Sequence, residues 1–490
     1  MKHTTITTLG ELKQAGYASK TMKEELRSNL IRHMERGSNP FKGIIGYDET
    51  VLPDVQRAIL SGHSINLLGL RGQAKTRIAR TLTELLDEWI PCVEGSELND
   101  DPLHPISRTA KDLVETHGDL TPIRWMHRAE RYVEKLATPD VSVADLIGDI
   151  DPIKAANLKL AYSDERVIHF GLIPRSHRCI FVINELPDLQ ARIQVSLFNI
   201  LQEGDIQIRG FQLRLPLDIQ FIFTANPEDY TNRGSIITPL KDRIQSQIIT
   251  HYPKSIALGM EITQLEARHT KDQLKRVTVS PFLRELVEMV AFEARESEYV
   301  DQKSGVSARL TISAMENLVS SAERRAIINK EKKTHTRVGD LMSIVPAITG
   351  KVELVYEGEQ EGPHFVANRL LGMAIRKKFP QIFPSPETIK RKKIQNPYQP
   401  IIDHLAAENV QILIDFPRDE YANALYSIPV LHEIVDKYCP GIQDEEKLMM
   451  MEFVLHGLAE FSVIGKTIMD SSIEFSDIMN DIFRNDKDND

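Results

Sequence analysis

The chain has 490 residues, of which 41% are hydrophobic and 27% charged, an ordinary soluble composition with room for roughly two to four domains. Its 60 basic and 70 acidic residues leave a net charge of −10, so bulk charge gives no support for binding nucleic acid, and no nucleic-acid partner is expected. Three scattered cysteines, Cys92, Cys179 and Cys439, exclude a disulfide framework or a zinc ribbon; with no long apolar run and no signal-like N-terminus, a reducing cytoplasm without membrane contact is the expected setting.

Residues 1–40 form a polar N-terminal segment that reads as a helix over 19–36, with Leu26, Leu30 and Ile31 as its apolar stripe. Gly37-Ser38-Asn39-Pro40 stops it. From 41 to 254 short apolar runs alternate with helical patterns, the signature of a parallel sheet covered by helices. Residues 64–70 read as a buried strand, followed by a glycine-bearing loop and a helix over 76–89. Residues 178–184 and 219–225 are two further strands. The long stretch between the first two runs, with its EGSELNDDPLHP cluster, is expected to hold insertions. Residues 255–350 read as helices, notably 281–298 and 311–330. The remainder, 351–490, is mixed to helical, with a basic, proline-containing connector at 376–393 and a frayed RNDKDND tail.

The loop Gly69-Leu70-Arg71-Gly72-Gln73-Ala74-Lys75-Thr76 keeps the spacing of a phosphate-binding loop. Such a loop wraps a polyphosphate in backbone N–H groups, its lysine reaches the outer phosphates, and its threonine hydroxyl ligates Mg2+. Ala74 stands where glycine is usual; alanine suits that position if its φ is negative. At the end of the second apolar run, Glu185 is placed to polarise an attacking water, with Asn184 before it where an aspartate would orient a metal-bound water. Read alone, Glu185 is an ordinary strand-end carboxylate; its place downstream of the loop gives it the catalytic reading. The third run ends Thr224-Ala225-Asn226-Pro227, and the Asn226 amide suits alignment of water against a γ-phosphate, though Asn-Pro is also a common turn starter.

The order of loop, insertion, IFVINE, hairpin, FTANP and LKDR resembles the AAA+ ATPases of the MoxR and magnesium-chelatase ATPase-subunit group over about residues 40–320. NPFKGIIGYDE, with Ile45, resembles the segment that lies against adenine, and ADLIGDID with HFGLIPRSHRCIFVINELPDL resembles the helix-2 insertion and metal-binding strand of chelatase subunits. The resemblance implies an AAA+ α/β core, a helical lid over 255–350, and ATP with Mg2+ as cofactors. It assigns phosphate and metal contacts to Lys75 and Thr76, a metal-side place to Asn184, and catalysis to Glu185. It makes Asn226 the first sensor, Arg243 in Pro239-Leu240-Lys241-Asp242-Arg243 an arginine finger, and Arg309 in Gly305-Val306-Ser307-Ala308-Arg309 the second sensor. Arg178 is a weaker candidate to face a neighbouring subunit. An arginine finger offered in trans implies a homo-oligomeric ring, usually a hexamer, and a hairpin at 206–215 turning at Arg209-Gly210 implies a partner-facing or pore-facing ribbon. The implied function is an ATP-driven remodelling motor for a partner protein, of the kind that carries a von Willebrand A domain. The alternatives are the ATPase subunit of magnesium chelatase, a nucleotide-gated scaffold that does not hydrolyse, and an enhancer-binding transcription regulator, against which stands the absence of a GAFTGA string.

Overall fold

A computed structural model of the chain describes residues 5–161, 164–206, 208, 215–227, 235–469 and 472–478. It divides into two compact units, Met1–Tyr252 and Pro253–Asp490.

The first unit is built on five parallel strands: β1 (Ile65–Leu68), β2 (Tyr132–Leu136), β3 (Cys179–Asn184), β4 (Ile219–Ala225) and β5 (Ser246–Ile249), in the order β5-β1-β4-β3-β2. The apolar runs of β3 and β4 are continuous because the sheet is buried on both faces. Ile180, Val182 and Ile222 turn to one side, with Ile65 and Leu67, and Phe181, Ile183, Phe221 and Phe223 to the other. The two-residue period of the strand sorts these side chains into two cores. The expected fold class is what the chain forms: a parallel sheet with helices on both faces, followed by a mainly helical region.

The first of those cores is closed by α1 (Met22–Glu35), α2 (Val51–Leu60) and α3 (Lys75–Thr81). Helix α1 begins at a capping box, in which Glu24 N–H donates to Thr21 Oγ1 at 3.3 Å and Thr21 N–H donates to Glu24 Oε2 at 2.9 Å. Its buried Leu26 and Leu30 each contribute about 1.5–3 kcal/mol on the scale of side-chain burial. The N-terminal segment therefore shares its core with the sheet.

Several sequence expectations change in detail. The helix expected over 76–89 stops at Thr81, tightens to a 3-10 turn over Leu82–Leu85, and gives way to a strand at Trp89–Val93. Two β-branched threonines, Thr81 and Thr83, weaken the helix there, and Pro91 forbids its continuation. Strands β2 and β5 carry no apolar run and were not anticipated. The long stretch after β1 holds the antiparallel pair Trp89–Val93 with Ile123–His127, strand β2, and a second pair, Gly148–Ile150 with Ile168–Phe170. The hairpin at 206–215 has a described base, Asp205 opposite Pro216 and Ile206 opposite Leu215; its turn at Arg209-Gly210 lies outside the described residues.

The second unit packs α4 (Pro281–Glu296), α5 (Arg309–Ile328), α6 (Pro363–Lys378) and α7 (Asp444–Glu460) around one core that spans both 255–350 and 351–490. The basic stretch at 376–393 is not a connector. Arg376, Lys377 and Lys378 finish α6, where cations favour the helix end. Phe379 and Phe383 behind them are buried, with the Phe379 ring 5.9 Å from Phe453. The C-terminal part also carries a three-stranded antiparallel sheet, with Ser472–Ser476 between Val410–Leu413 and Gly465–Ile468, too short and too dispersed to read as strands in sequence. The RNDKDND tail lies outside the described residues.

Candidate nucleotide site

The C-terminal ends of β1, β3 and β4 deliver their following residues to one edge of the sheet, where an open parallel sheet forms its ligand crevice. The loop after β1 carries Gly69 to Thr76 and leads into α3. A Cβ at Gly69 would overlap the Thr250 hydroxyl and the Gln73 amide oxygen, so any replacement has to displace both. Those two groups are bonded to each other, with Thr250 Oγ1 donating to Gln73 Oε1 at 2.7 Å. Two tyrosines fix the loop backbone. The Tyr47 hydroxyl is shared between the His251 carbonyl at 2.6 Å and the Gln73 carbonyl at 3.0 Å, and Tyr252 donates to the Arg71 carbonyl at 3.0 Å. Burial pushes the Tyr47 hydroxyl up to about 12, so it remains a donor at physiological pH.

Ala74 overturns the condition set from sequence. Its φ is +55°, in the left-handed region, and not negative. An alanine there bears a steric cost of about 1–2 kcal/mol that glycine avoids, offset in part by contact of Ala74 with the core under α3.

Lys75 folds across the loop. Its ammonium donates to the carbonyls of Gly69 and Leu70, the latter at 2.9 Å, and to Asn226 Oδ1 at 2.6 Å. The lysine of the loop and the amide at the end of β4 thus meet directly. Thr76 Oγ1 donates to Asn184 Oδ1 at 3.3 Å, and the same oxygen accepts from Thr224 Oγ1 at 3.0 Å. Glu185 follows Asn184 with φ +57°, a conformation uncommon outside glycine and enriched at functional turns. Its backbone N–H donates to Thr224 Oγ1 at 3.2 Å, which fixes the turn. Loop, strand-end amides and carboxylate are therefore gathered at one edge.

Thr76 Oγ1 and Asn184 Oδ1 lie 3.3 Å apart, and two such neutral oxygens are of the kind that could hold a hard cation such as Mg2+. Among the described residues no group of three or more His, Cys, Asp and Glu is arranged to hold a metal.

The remaining candidates are carried by other elements. Ile45 is half-buried in the segment before Tyr47. Arg243 ends the helix Thr238–Arg243, where it donates to Gln202 Oε1 at 3.1 Å and to the Pro239 carbonyl at 2.8 Å, and lies 5.0 Å from the Phe198 ring centre. Arg309 is exposed at the start of α5 in the second unit. Arg178 is corrected: it is 5% exposed, its guanidinium donates to the Pro91 carbonyl at 2.7 Å, and it precedes β3 rather than following it. A buried arginine at the far end of the strand cannot be offered to a neighbour's phosphate.

Sequence reasoning missed Tyr47, Thr224, Thr250, Tyr252 and Glu134. Thr224 was within reach, since it stands next to Ala225-Asn226 on the same apolar strand. Glu134 was not, because β2 has no apolar run to announce it.

No family model matches the chain. Among solved structures it is similar to a putative ATPase from Cytophaga hutchinsonii, at 16% identity over 74% of this chain and 97% of that one, TM-score 0.31. It is also similar to a magnesium chelatase BchI–BchD complex, at 18% identity over 66% of this chain and 98% of that one, TM-score 0.35. A third is NtrX from Brucella abortus in complex with ADP, at 11% identity over 78% of this chain and 68% of that one, TM-score 0.37. At such values the likeness bears no weight on activity; the reading of the site rests on the chain's own side chains. No helix among the described residues is long and apolar enough to cross a membrane.

Proposed function

We propose that the chain is an ATP-binding and ATP-hydrolysing AAA+ ATPase, MoxR-like, that works as a homo-oligomeric ring, a hexamer, in the cytoplasm and remodels a partner protein bearing a von Willebrand A domain. The observation that carries the reading is the convergence of Lys75 on Asn226 and of Thr76 on Asn184, beside Glu185, at the ends of three parallel strands. In this reading the loop holds the phosphates and Lys75 exchanges its carbonyl and amide partners for their outer oxygens. Thr76 and Asn184 would hold Mg2+, which would supply positive charge beside the phosphate oxygens. Glu185 accepts a hydrogen bond from the attacking water, and Asn226 holds that water in line with the γ-phosphorus. Arg243 is the cation offered to the neighbouring subunit, and Arg309 is the second sensor. Fixed guanidinium groups contribute factors on the order of 10³–10⁵ in related NTPases.

Lys75→Ala tests this. ATP turnover by the variant is expected to fall by about 100-fold or more, as when a fixed transition-state donor is removed. Undiminished turnover in a phosphate-release assay rejects the assignment.

A second reading, the ATPase subunit of magnesium chelatase, is favoured by the antiparallel pair Gly148–Ile150 with Ile168–Phe170 in the segment that resembles the chelatase insertion. Metal insertion into a tetrapyrrole when this chain is added to the other chelatase subunits distinguishes it from the first.

A further inference from the structure

Position 184 is an amide where the chemistry of a metal-side residue calls for a carboxylate. The missing charge is present one strand away. Strand β2 lies beside β3 with Glu134 opposite Val182 and Leu136 opposite Asn184, so the two-residue period turns Glu134 and Asn184 to the same face, the one covered by α3. There Asn184 Nδ2 donates to Glu134 Oε1 at 2.6 Å. The other carboxylate oxygen, Oε2, accepts from Arg80 Nε at 3.2 Å, Arg80 Nη2 at 2.9 Å and the Tyr132 hydroxyl at 3.1 Å.

This geometry decides which way the amide points. A carboxylate only accepts, so the group facing Glu134 must be the Asn184 NH₂. The Asn184 oxygen is thereby turned to the Thr76 and Thr224 hydroxyls. The same contact sets an anion one hydrogen bond away from that oxygen. Arg80 does not cancel the arrangement, because its side chain is 64% exposed while that of Glu134 is 23% exposed, and an ion pair open to water on the arginine side is weak.

We propose that Glu134 is the positioning residue of the metal side of the site, supplying from β2 the charge that position 184 lacks and holding the Asn184 oxygen toward Thr76. The inference rests on the nucleotide reading above and adds to it a residue and a division of labour: the Asn184 oxygen would face Mg2+, and the charge sits behind the amide on Glu134.

The test is a titration of the full chain with a fluorescent ADP analogue, once with Mg2+ and once with EDTA. Glu134→Gln is expected to reduce the gain in affinity on adding Mg2+ on the order of tenfold, the usual scale for a lost outer-shell partner. Affinity in EDTA and the melting midpoint stay as in wild type. Asn184→Asp, which looks like a repair, is expected to lose Mg2+-dependent affinity as well, since it sets two carboxylates against each other across a 2.6 Å contact. The double variant E134Q/N184D moves the charge back to β3 and is expected to recover most of the gain. A full Mg2+ gain in Glu134→Gln overturns the inference alone. So does an equal loss with and without Mg2+, which makes Glu134 only a brace for α3 through Arg80, and so does a double variant no better than the single ones. A wild-type chain that binds no nucleotide overturns the ATPase reading along with it.

Discussion

The two ends of one sheet carry polar clusters of opposite character. At the C-terminal ends of β1, β3 and β4 Asn184, Thr224 and Asn226 are buried while Lys75, Thr76 and Glu185 are half-buried, two of the backbone positions, Ala74 and Glu185, are left-handed, and the Lys75 ammonium donates to carbonyl and amide oxygens. At the N-terminal ends the charges are buried and matched. Arg131 grips Glu25 with both of its terminal nitrogens at 2.7 Å, with the side chains 1% and 4% exposed. Arg178 lies 3.8 Å from Asp101, and Asp218, just before β4, accepts from the Met22 N–H at 2.7 Å. The same strands thus end in matched ion pairs on one side and in the candidate site on the other. Arg178 shows why residue type alone misleads: at the start of β3 it is buried and belongs to the scaffold.

The largest effect that separates the two ends is expected at the scaffold. Glu25→Ala leaves Arg131 buried without its counter-ion, and a loss of about 3–5 kcal/mol is expected in denaturant unfolding of the first unit. A loss below about 1 kcal/mol, the scale of an exposed pair, places Glu25 with surface charges instead.

A pH series probes the same end more finely. Burial pushes the Asp218 carboxyl up to about 6 and the His177 imidazole down to about 4, and Asp218 N–H donates to His177 Nδ1 at 3.0 Å. Unfolded, the two titrate near about 3.9 and 6.5. The folded chain keeps a proton on Asp218 that the unfolded chain releases, so that contribution to stability is lost as pH rises through about 6. The unfolded chain takes a proton on His177 that the folded chain refuses, so that contribution is lost as pH falls from about 6.5. The slopes oppose each other. Asp218→Asn removes the first, and its melting midpoint should climb more steeply between about pH 4 and 6.5 than that of wild type. Parallel curves for the two proteins contradict the assignment of the raised carboxyl to Asp218.

The smallest effect belongs to the site. Ala74→Gly relieves a left-handed alanine and is expected to stabilise the first unit by about 0.4–1 kcal/mol, with the lost core contact and the greater freedom of the unfolded chain working against it. Destabilisation in the same unfolding assay means that the core contact of the methyl group outweighs the backbone strain.

What the sequence made legible follows burial. Strands β3 and β4 are covered on both faces and read as unbroken apolar runs, and the loop after β1 announces itself by glycine spacing. Strand β2 lies at the edge of the sheet, its positions half-buried apart from an exposed Leu136, and YVEKL carries no pattern to betray it. Its Glu134 was hidden for that reason. Tyr47 and Tyr252 were hidden for another: each serves the loop by a single hydroxyl directed at a carbonyl far away in sequence, which no local period encodes.

The strand order has a consequence for how the chain comes off the ribosome. Strand β1 is among the first to be made, yet its neighbours are β4 and β5, with Ile65 paired to Ile222 on one side and to Ser246 on the other. Long-range parallel pairing of this kind is slow and leaves apolar edges waiting. Nearly the whole first unit must emerge before the loop at 69–76 gains the strand that leads to Asn226. A nascent chain stalled short of β4 therefore holds every residue of the loop and still lacks the sheet edge that gives the loop its shape.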